Sequence, residues 1–213
     1  MLSKYELVIF DWDGTLMDSV GRIVSSMKGV AKELSLPHPS DIDVKDIIGL
    51  SLNEASNRLF PEACDATKDR IKLAYKKHYI ELNNTPTPLF DGAHETLSAL
   101  KDSGKTLSVA TGKGRDGLNR VMMESKATHY FSATRSADEC ASKPHPEMIH
   151  TLLKELNILP EKAVMIGDSA LDMEMAKNAG VDRIGVSYGA HDRDKLKIYE
   201  PIAIIDCLTQ LKP

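Results

Sequence analysis

Short apolar runs at residues 7–10, 106–110, 163–166, 183–186 and 203–205 punctuate the chain. Stretches with helical spacing of their apolar residues, at 92–101, 114–124, 145–156 and 169–179, lie before or between the later runs. Strands that alternate with helices pair in parallel, because each return to the same sheet needs a crossover, and the crossover helices then cover both faces. An α/β fold with a doubly wound parallel sheet is the expectation. One interval breaks the alternation. Between the first two runs the periodicity is helical throughout: 19–34, with Ile23, Val24, Met27, Val30, Ala31 and Leu34 at helical spacing, then 52–60, then 62–82. Asp18 or Ser19 is a suitable N-cap for the first of these. The run Asn83-Asn84-Thr85-Pro86-Thr87-Pro88 has linker composition. The chain thus divides into a core, 1–16 and 85–213, and a helical insertion, 17–84; 213 residues suffice for one core and a small accessory unit.

The strand ends carry the chemistry. Asp11-Trp12-Asp13-Gly14-Thr15-Leu16 follows the first run directly, so two carboxylates one residue apart can address one phosphoryl group. The second run ends in Thr111-Gly112, a hydroxyl and a backbone amide, although a threonine here can equally cap the helix that follows. Lys143 stands in Ser142-Lys143-Pro144-His145-Pro146, where two prolines stiffen the loop and start a helix. The fourth feature is Gly167-Asp168-Ser169-Ala170-Leu171-Asp172, whose aspartates at i and i+4 can share a hard cation or simply cap a helix. In open parallel sheets ligands bind outside the carboxyl ends of the strands, so four such motifs converge on one site.

These four motifs, in this order, resemble those of the haloacid dehalogenase-like hydrolases, and the helical insertion resembles that family's C1 cap. The overall layout looks most like the phosphoglycolate phosphatase branch of capped subfamily I. The resemblance implies a Rossmann-like core under a cap, and two-step phosphoryl transfer in which Asp11 attacks phosphorus and Asp13 acts as acid and then base. It implies Mg2+ held by Asp11, the Asp13 backbone carbonyl and Asp168, with Asp172 supporting through water or Lys143. Thr111, Lys143 and the amides around Trp12 and Gly112 would hold the phosphate. Without a cation the carboxylates would repel their substrate. The second aspartate, Asp13, points to phosphate rather than to carbon–halogen chemistry. The cap specificity loop corresponds to Ile48, Gly49, Leu50, Ser51 and Leu52. Sugar-phosphate mutases of the β-phosphoglucomutase type carry basic residues around that glycine and a histidine in the first cap helix. Ile48, Leu52 and Ile23 stand at those places here. A phosphatase acting on a small-molecule phosphomonoester is therefore expected, phosphoglycolate-like or broad in range. The mutase and a non-catalytic phosphate-binding regulator are the alternatives.

One motif competes. Gly112-Lys113-Gly114-Arg115-Asp116-Gly117 fits G-x-G-x-x-G after a strand, with Asp138 and Glu139 about where a dinucleotide site places its ribose-binding acid. A dinucleotide-binding oxidoreductase would leave Asp11, Asp13 and the Asp168–Asp172 pair without a use. His145 and His150, five apart, do not share a helix face, so zinc is not expected. Residues 17–84 hold ten basic and ten acidic side chains and the remainder seventeen and twenty-one, which assigns the net charge of -4 to the core. Without a basic stripe interleaved with aromatics, nucleic acid is not an expected partner. Lys4 and Glu6 precede a run far too short for a signal peptide or a membrane span, and Cys64, Cys140 and Cys207 are scattered. A cytoplasmic enzyme with no membrane contact is expected; composition is silent on oligomeric state.

Overall fold

The computed structural model describes residues 1–212; Pro213, the last of the expected core range, lies outside the described residues. Strands β1 (Leu7–Phe10), β2 (Thr106–Ala110), β3 (Ala133–Arg135), β4 (Ala163–Gly167), β5 (Asp182–Val186) and β6 (Ala203–Ile205) form one parallel sheet in the order β3-β2-β1-β4-β5-β6. All four residues of β1 are fully buried, which is why its sequence is continuously apolar rather than alternating. Val8 and Phe10 join the cluster of Leu97 and Leu100 from α5 (Ala93–Asp102) and Leu118 and Val121 from α6 (Arg115–Glu124). Leu7 and Ile9 join Met148, Ile149 and Leu152 from α7 (Glu147–Leu156) and Met175 from α8 (Ala170–Asn178) on the other face. Each such side chain contributes about 1.5–3 kcal/mol by leaving water. The connections after β1 run to β2 on one side and later to β4 on the other, so the strand order reverses at β1 and opens a crevice at its carboxyl end.

The segment between β1 and α5 is helical: α1 (Val20–Glu33), α2 (Asp41–Lys45), α3 (Leu52–Leu59) and α4 (Asp65–Lys77). It has its own apolar cluster, with Met27, Val30, Val44, Phe60 and Ile71 among its members, which Ala190 of the core also touches. Where the chain leaves and re-enters the sheet it pairs with itself: Asp18 N donates to Pro88 O at 2.9 Å, Phe90 N to Leu16 O at 2.9 Å, and Met17 bridges Leu89.

Several boundaries differ from the sequence reading. The helix expected from 62 begins at Asp65, because a turn closed by Ala63 N on Phe60 O precedes the extended Cys64. Past Lys77 the winding widens to a π-turn at His78–Leu82. The helix expected from 145 begins at Glu147 with Pro146 at its cap position. Ser19 is the N-cap residue of α1, yet its hydroxyl turns away from the helix and donates to Asp13. One strand and two α-helices escaped the sequence reading: β3, α2 with its Ser40–Asp43 capping box, and α9 (Arg193–Lys197), capped by Asp192. No helix among the described residues is long and apolar enough to cross a membrane.

Candidate active site

β1 delivers Asp11 into the crevice, and the Asp11 amide still donates to Ile166 O of β4 at 2.9 Å, so its main chain is held by the sheet. The turn that follows places Thr15 so that its hydroxyl donates to Asp168 Oδ1 at 2.8 Å; Ala190 N donates to Asp168 Oδ2 at 2.7 Å. Lys143, fully buried, reaches in from the loop before α7, donating to Asp172 Oδ1 at 2.6 Å with its Nζ 2.9 Å from Asp11 Oδ1. That second approach is within ion-pair distance but off hydrogen-bond alignment, and both oxygens of Asp11 are buried without a hydrogen-bond partner. Asp172 Oδ2 accepts from the amide and hydroxyl of Ser169, so this residue caps α8 as well as pairing with Lys143. The capping reading of the Asp168–Asp172 spacing is thus seen at Asp172, which completes the Ser169 capping box.

Asp11, Asp168 and Asp172 bring one carboxylate oxygen each to within 4.8 Å of one another. Three carboxylates against one ammonium leave an excess of buried negative charge. Burial drives the Asp11 carboxyl up to about 7, with Lys143 opposing and Asp172 reinforcing; burial, Asp172 and Asp11 also push Asp168 well up. For Lys143, burial alone would favour the neutral amine, but Asp11 and Asp172 together outweigh it and raise its pKa. A donor set made of hard carboxylate oxygens, one of them with unpartnered lone pairs, and deficient in positive charge, fits a hard divalent cation.

Asp13 is not part of that cluster. Its Oδ1 accepts from Ser19 at 2.7 Å and its Oδ2 lies 3.0 Å from the Nζ of Lys113, whose own Nζ sits 5.0 Å from the centroid of the Tyr79 ring. Asp13 and Tyr79 hold the Lys113 pKa up against its burial. The Asp13 carboxylate is thus committed elsewhere than to the acidic cluster. The Trp12 side chain is buried in the core, its indole N–H on Met17 sulfur at 3.4 Å, leaving its main chain as the part beside the two aspartates. Thr111 Oγ1 accepts from Lys113 N at 3.2 Å while Gly114 caps α6, so Thr111 is not the helix cap and its hydroxyl proton is uncommitted.

A cavity of about 380 Å3 opens above Asp11 and Asp13, with Thr111, Gly112 and Lys113 also in its floor. Its opposite wall comes from the helical segment and includes Ile48, Gly49, Leu50 and Leu52 of the expected specificity loop. Ser51 does not line it: its amide donates to Ser142 Oγ at 2.9 Å and its hydroxyl caps α3. Gly49, at φ 102°, is left-handed, and a Cβ on Gly112 would stand 2.3 Å from Gly49 O and 2.6 Å from Leu50 O. Glycine at 112 is what lets the two main chains meet. A second clasp joins α2 to the core. Asp46 accepts from Lys195 Nζ at 2.6 Å and faces His191 Nε2 at 3.2 Å, while His191 Nδ1 accepts from Ala170 N at 2.9 Å. An imidazole that accepts at Nδ1 carries its proton on Nε2; burial and then Lys195 lower its pKa, which agrees with the neutral ring.

The competing glycine motif is accounted for. The space over Gly112 that a pyrophosphate would need is filled by the Gly49–Leu50 main chain. Asp138 accepts from Arg115 N at 2.9 Å and Glu139 pairs with the Arg115 guanidinium, so both acids fasten the start of α6. Lys113, Ser19, Tyr79 and His191 escaped the sequence search for site residues. Lys113 stood inside a noted motif and carried a usable signal; the other three acquire partners only through tertiary contact.

Comparison with known proteins places this geometry. The sequence profile of the haloacid dehalogenase-like hydrolases matches residues 8–186. The chain belongs to the haloacid dehalogenase-like hydrolases. Among members of the family it is 34% identical to "Probable phosphatase IndB" of Dickeya dadantii, over 96% of this chain and 91% of that one. It is 28% identical to a phosphoglycolate phosphatase of Vibrio vulnificus, over 98% and 95%. A crystal structure from Bacteroides fragilis, described as of the same family, superposes with a TM-score of 0.89 at 27% identity, covering 97% of this chain and 99% of that one. The parallel sheet and its order are thus those of the haloacid dehalogenase-like fold.

Proposed function

We propose that the protein is a Mg2+-dependent phosphatase that hydrolyses a small-molecule phosphomonoester through a phosphoaspartate on Asp11, with residues 17–84 acting as its cap. The observation that carries this reading is the Asp11 carboxylate itself: buried, free of hydrogen bonds, at the floor of a cavity, with Lys143 at 2.9 Å and Asp13 beside it. An unpartnered buried carboxylate is costly to keep, and a nucleophile has to be kept so.

Asp11 would attack phosphorus in line with the ester oxygen. Lys143 fixes Asp11 and offers its charge to the phosphoryl oxygens, while the Thr111 hydroxyl and the amides at Trp12 and Gly112 donate to them as charge spreads. Asp13 would enter as the carboxylic acid and give its proton to the departing alkoxide; the carboxylate left behind, facing Lys113, then takes one from the water that attacks the phosphoaspartate. Ser19 and Lys113 hold Asp13 at its post for both transfers. Asp11, Asp168 and the Asp13 carbonyl would hold the cation, with Asp172 steadying Lys143; bound there it supplies charge neutralisation for an anionic nucleophile meeting an anionic substrate. The cavity wall offers no histidine among the described residues, and Ile23 and Ile48 line it, which favours the phosphatase over the sugar-phosphate mutase. Relatives named for phosphatase activity support the same reaction class.

The test is phosphate release from p-nitrophenyl phosphate, 2-phosphoglycolate, sugar phosphates, nucleoside monophosphates and pyrophosphate, with magnesium and with EDTA. Release that depends on magnesium is the expected result. Silence across the panel in magnesium sinks the hydrolase and revives the phosphate-binding regulator.

A further inference from the structure

The wall of the cavity differs in kind from its floor. Ile23 and Met27 of α1, Ile48 and Leu52 beside the left-handed glycine, and Tyr75 and Tyr79 face the two aspartates across about 380 Å3. That volume lies in the range of sites that enclose drug-sized ligands, and a two-carbon leaving group fills little of it. The tyrosine rings lie 5.8 Å apart at 33° and add aromatic surface to the wall.

Charge points the same way. Of the cations that line the cavity, Lys113 is already paired with Asp13. The lining also holds Lys76 and Arg120, equalled in number by Asp116 and Asp138, so these four side chains supply no net positive charge for a second anionic group. A buried polar atom that this wall leaves unpartnered is the Tyr79 hydroxyl, which is neutral. A sugar would leave several hydroxyls unpaired against aliphatic side chains, and a carboxylate would have to compete with Asp13 for Lys113.

We propose that the ester hydrolysed here carries a neutral, ring-sized, largely apolar alcohol, seated between the Ile23–Met27 face of α1 and the Tyr75–Tyr79 pair. This rests on the phosphomonoesterase reading and narrows its substrate class.

Benzyl phosphate and ethyl phosphate test it, because their parent alcohols are of similar acidity and the bond-breaking chemistry is matched. In magnesium, kcat/KM for benzyl phosphate should exceed that for ethyl phosphate by on the order of tenfold to a hundredfold, and should exceed that for 2-phosphoglycolate. Ile23→Asn should cut the benzyl-to-ethyl ratio by about threefold or more, with ethyl phosphate as the internal reference. Benzylphosphonate and ethylphosphonate, which lack the scissile oxygen, give the same comparison as Kd by calorimetry, independent of turnover. Tenfold tighter binding of the benzyl compound with a negative heat-capacity change is expected. Hydrolysis without benzyl preference, or with phosphoglycolate preferred, overturns this inference and leaves the phosphatase standing. Benzyl-selective binding with no hydrolysis of any ester supports the pocket and overturns the phosphatase.

Discussion

The floor and the wall of the cavity are built by opposite means. At and beneath the floor, Asp11, Asp168, Asp172 and Lys143 are almost wholly shielded from water; hydrogen bonds from Thr15 and Ala190 lock Asp168, those from Ser169 and Lys143 lock Asp172, and Asp11 is held by its main chain on the sheet. The wall is aliphatic and aromatic, carried by helices tied to the core at separate points: the Ser19–Asp13 bond, the Tyr79–Lys113 contact, the Gly49–Gly112 approach, the Ser51–Ser142 bond and the Asp46–Lys195 clasp. Buried charge demands one geometry, because a misplaced carboxylate keeps its full desolvation cost. Apolar contact tolerates exchange of side chains of similar volume. Reaction chemistry therefore belongs on the floor and discrimination between substrates on the wall.

Changes that strike the floor should be the most severe. Asp11→Asn removes the nucleophile and should lower kcat by about 10^4-fold or more. Because it also removes one of three crowded carboxylates, its Tm in the absence of metal should hold or rise; a clear fall would mean that Asp11 is a structural ion-pair partner first. Lys143→Met leaves Asp11 and Asp172 facing each other without a cation, and chemical denaturation should show a loss of about 3–5 kcal/mol. Magnesium should recover part of that loss, and a variant as stable as its parent would break the picture of a charge-locked floor.

At the junction, Gly112→Ala inserts a Cβ 2.3 Å from Gly49 O, so the wall must move away. We expect KM to rise by about tenfold while kcat for a small ester changes little, since Thr111 keeps its place. Equal losses in both would show that the floor had moved as well. The smallest effect concerns acid. Burial favours protonating Glu139, but Arg115 and Ser136 outweigh it and hold its pKa down to about 2. A depressed carboxylate pKa contributes stability above the ordinary value near 4.5, and that contribution drains away as pH falls from there towards 2. Tm of the parent and of Glu139→Gln, measured between about pH 6 and pH 3, should converge on the acid side, by an amount worth less than about 1 kcal/mol because the pair is part-exposed. A constant gap would remove Glu139 from the acid response.

Floor and wall also differed in how far they could be read beforehand. β1, β2 and β4 announce themselves as apolar runs, and the residues that follow each run are confined to turn types by the geometry of a strand end; Asp11, Thr111 and Asp168 were accordingly legible. β3 was not: Ala133, Thr134 and Arg135 make an edge strand of three residues, too short and too polar to carry a period. α2 and α9, five residues each, fall below one period and a half. On the wall, Gly49 was recognisable as a loop glycine, but its meeting with Gly112 joins residues far apart in sequence, as do Asp13 with Lys113 and Asp46 with His191. Local pattern carries no trace of such pairs, since their partners are chosen by packing.

The hydrogen-bonded segments at Leu16–Asp18 and Pro88–Phe90 have a consequence for how such a chain is assembled. A long excursion ordinarily burdens folding with the entropy of bringing its two ends together. Here departure and return are zipped side by side, so that for the sheet the excursion is equivalent to a tight turn. Its length and contents are thereby uncoupled from the strand order, and a helical unit of another size or lining could be spliced between the same two points without the sheet registering the exchange.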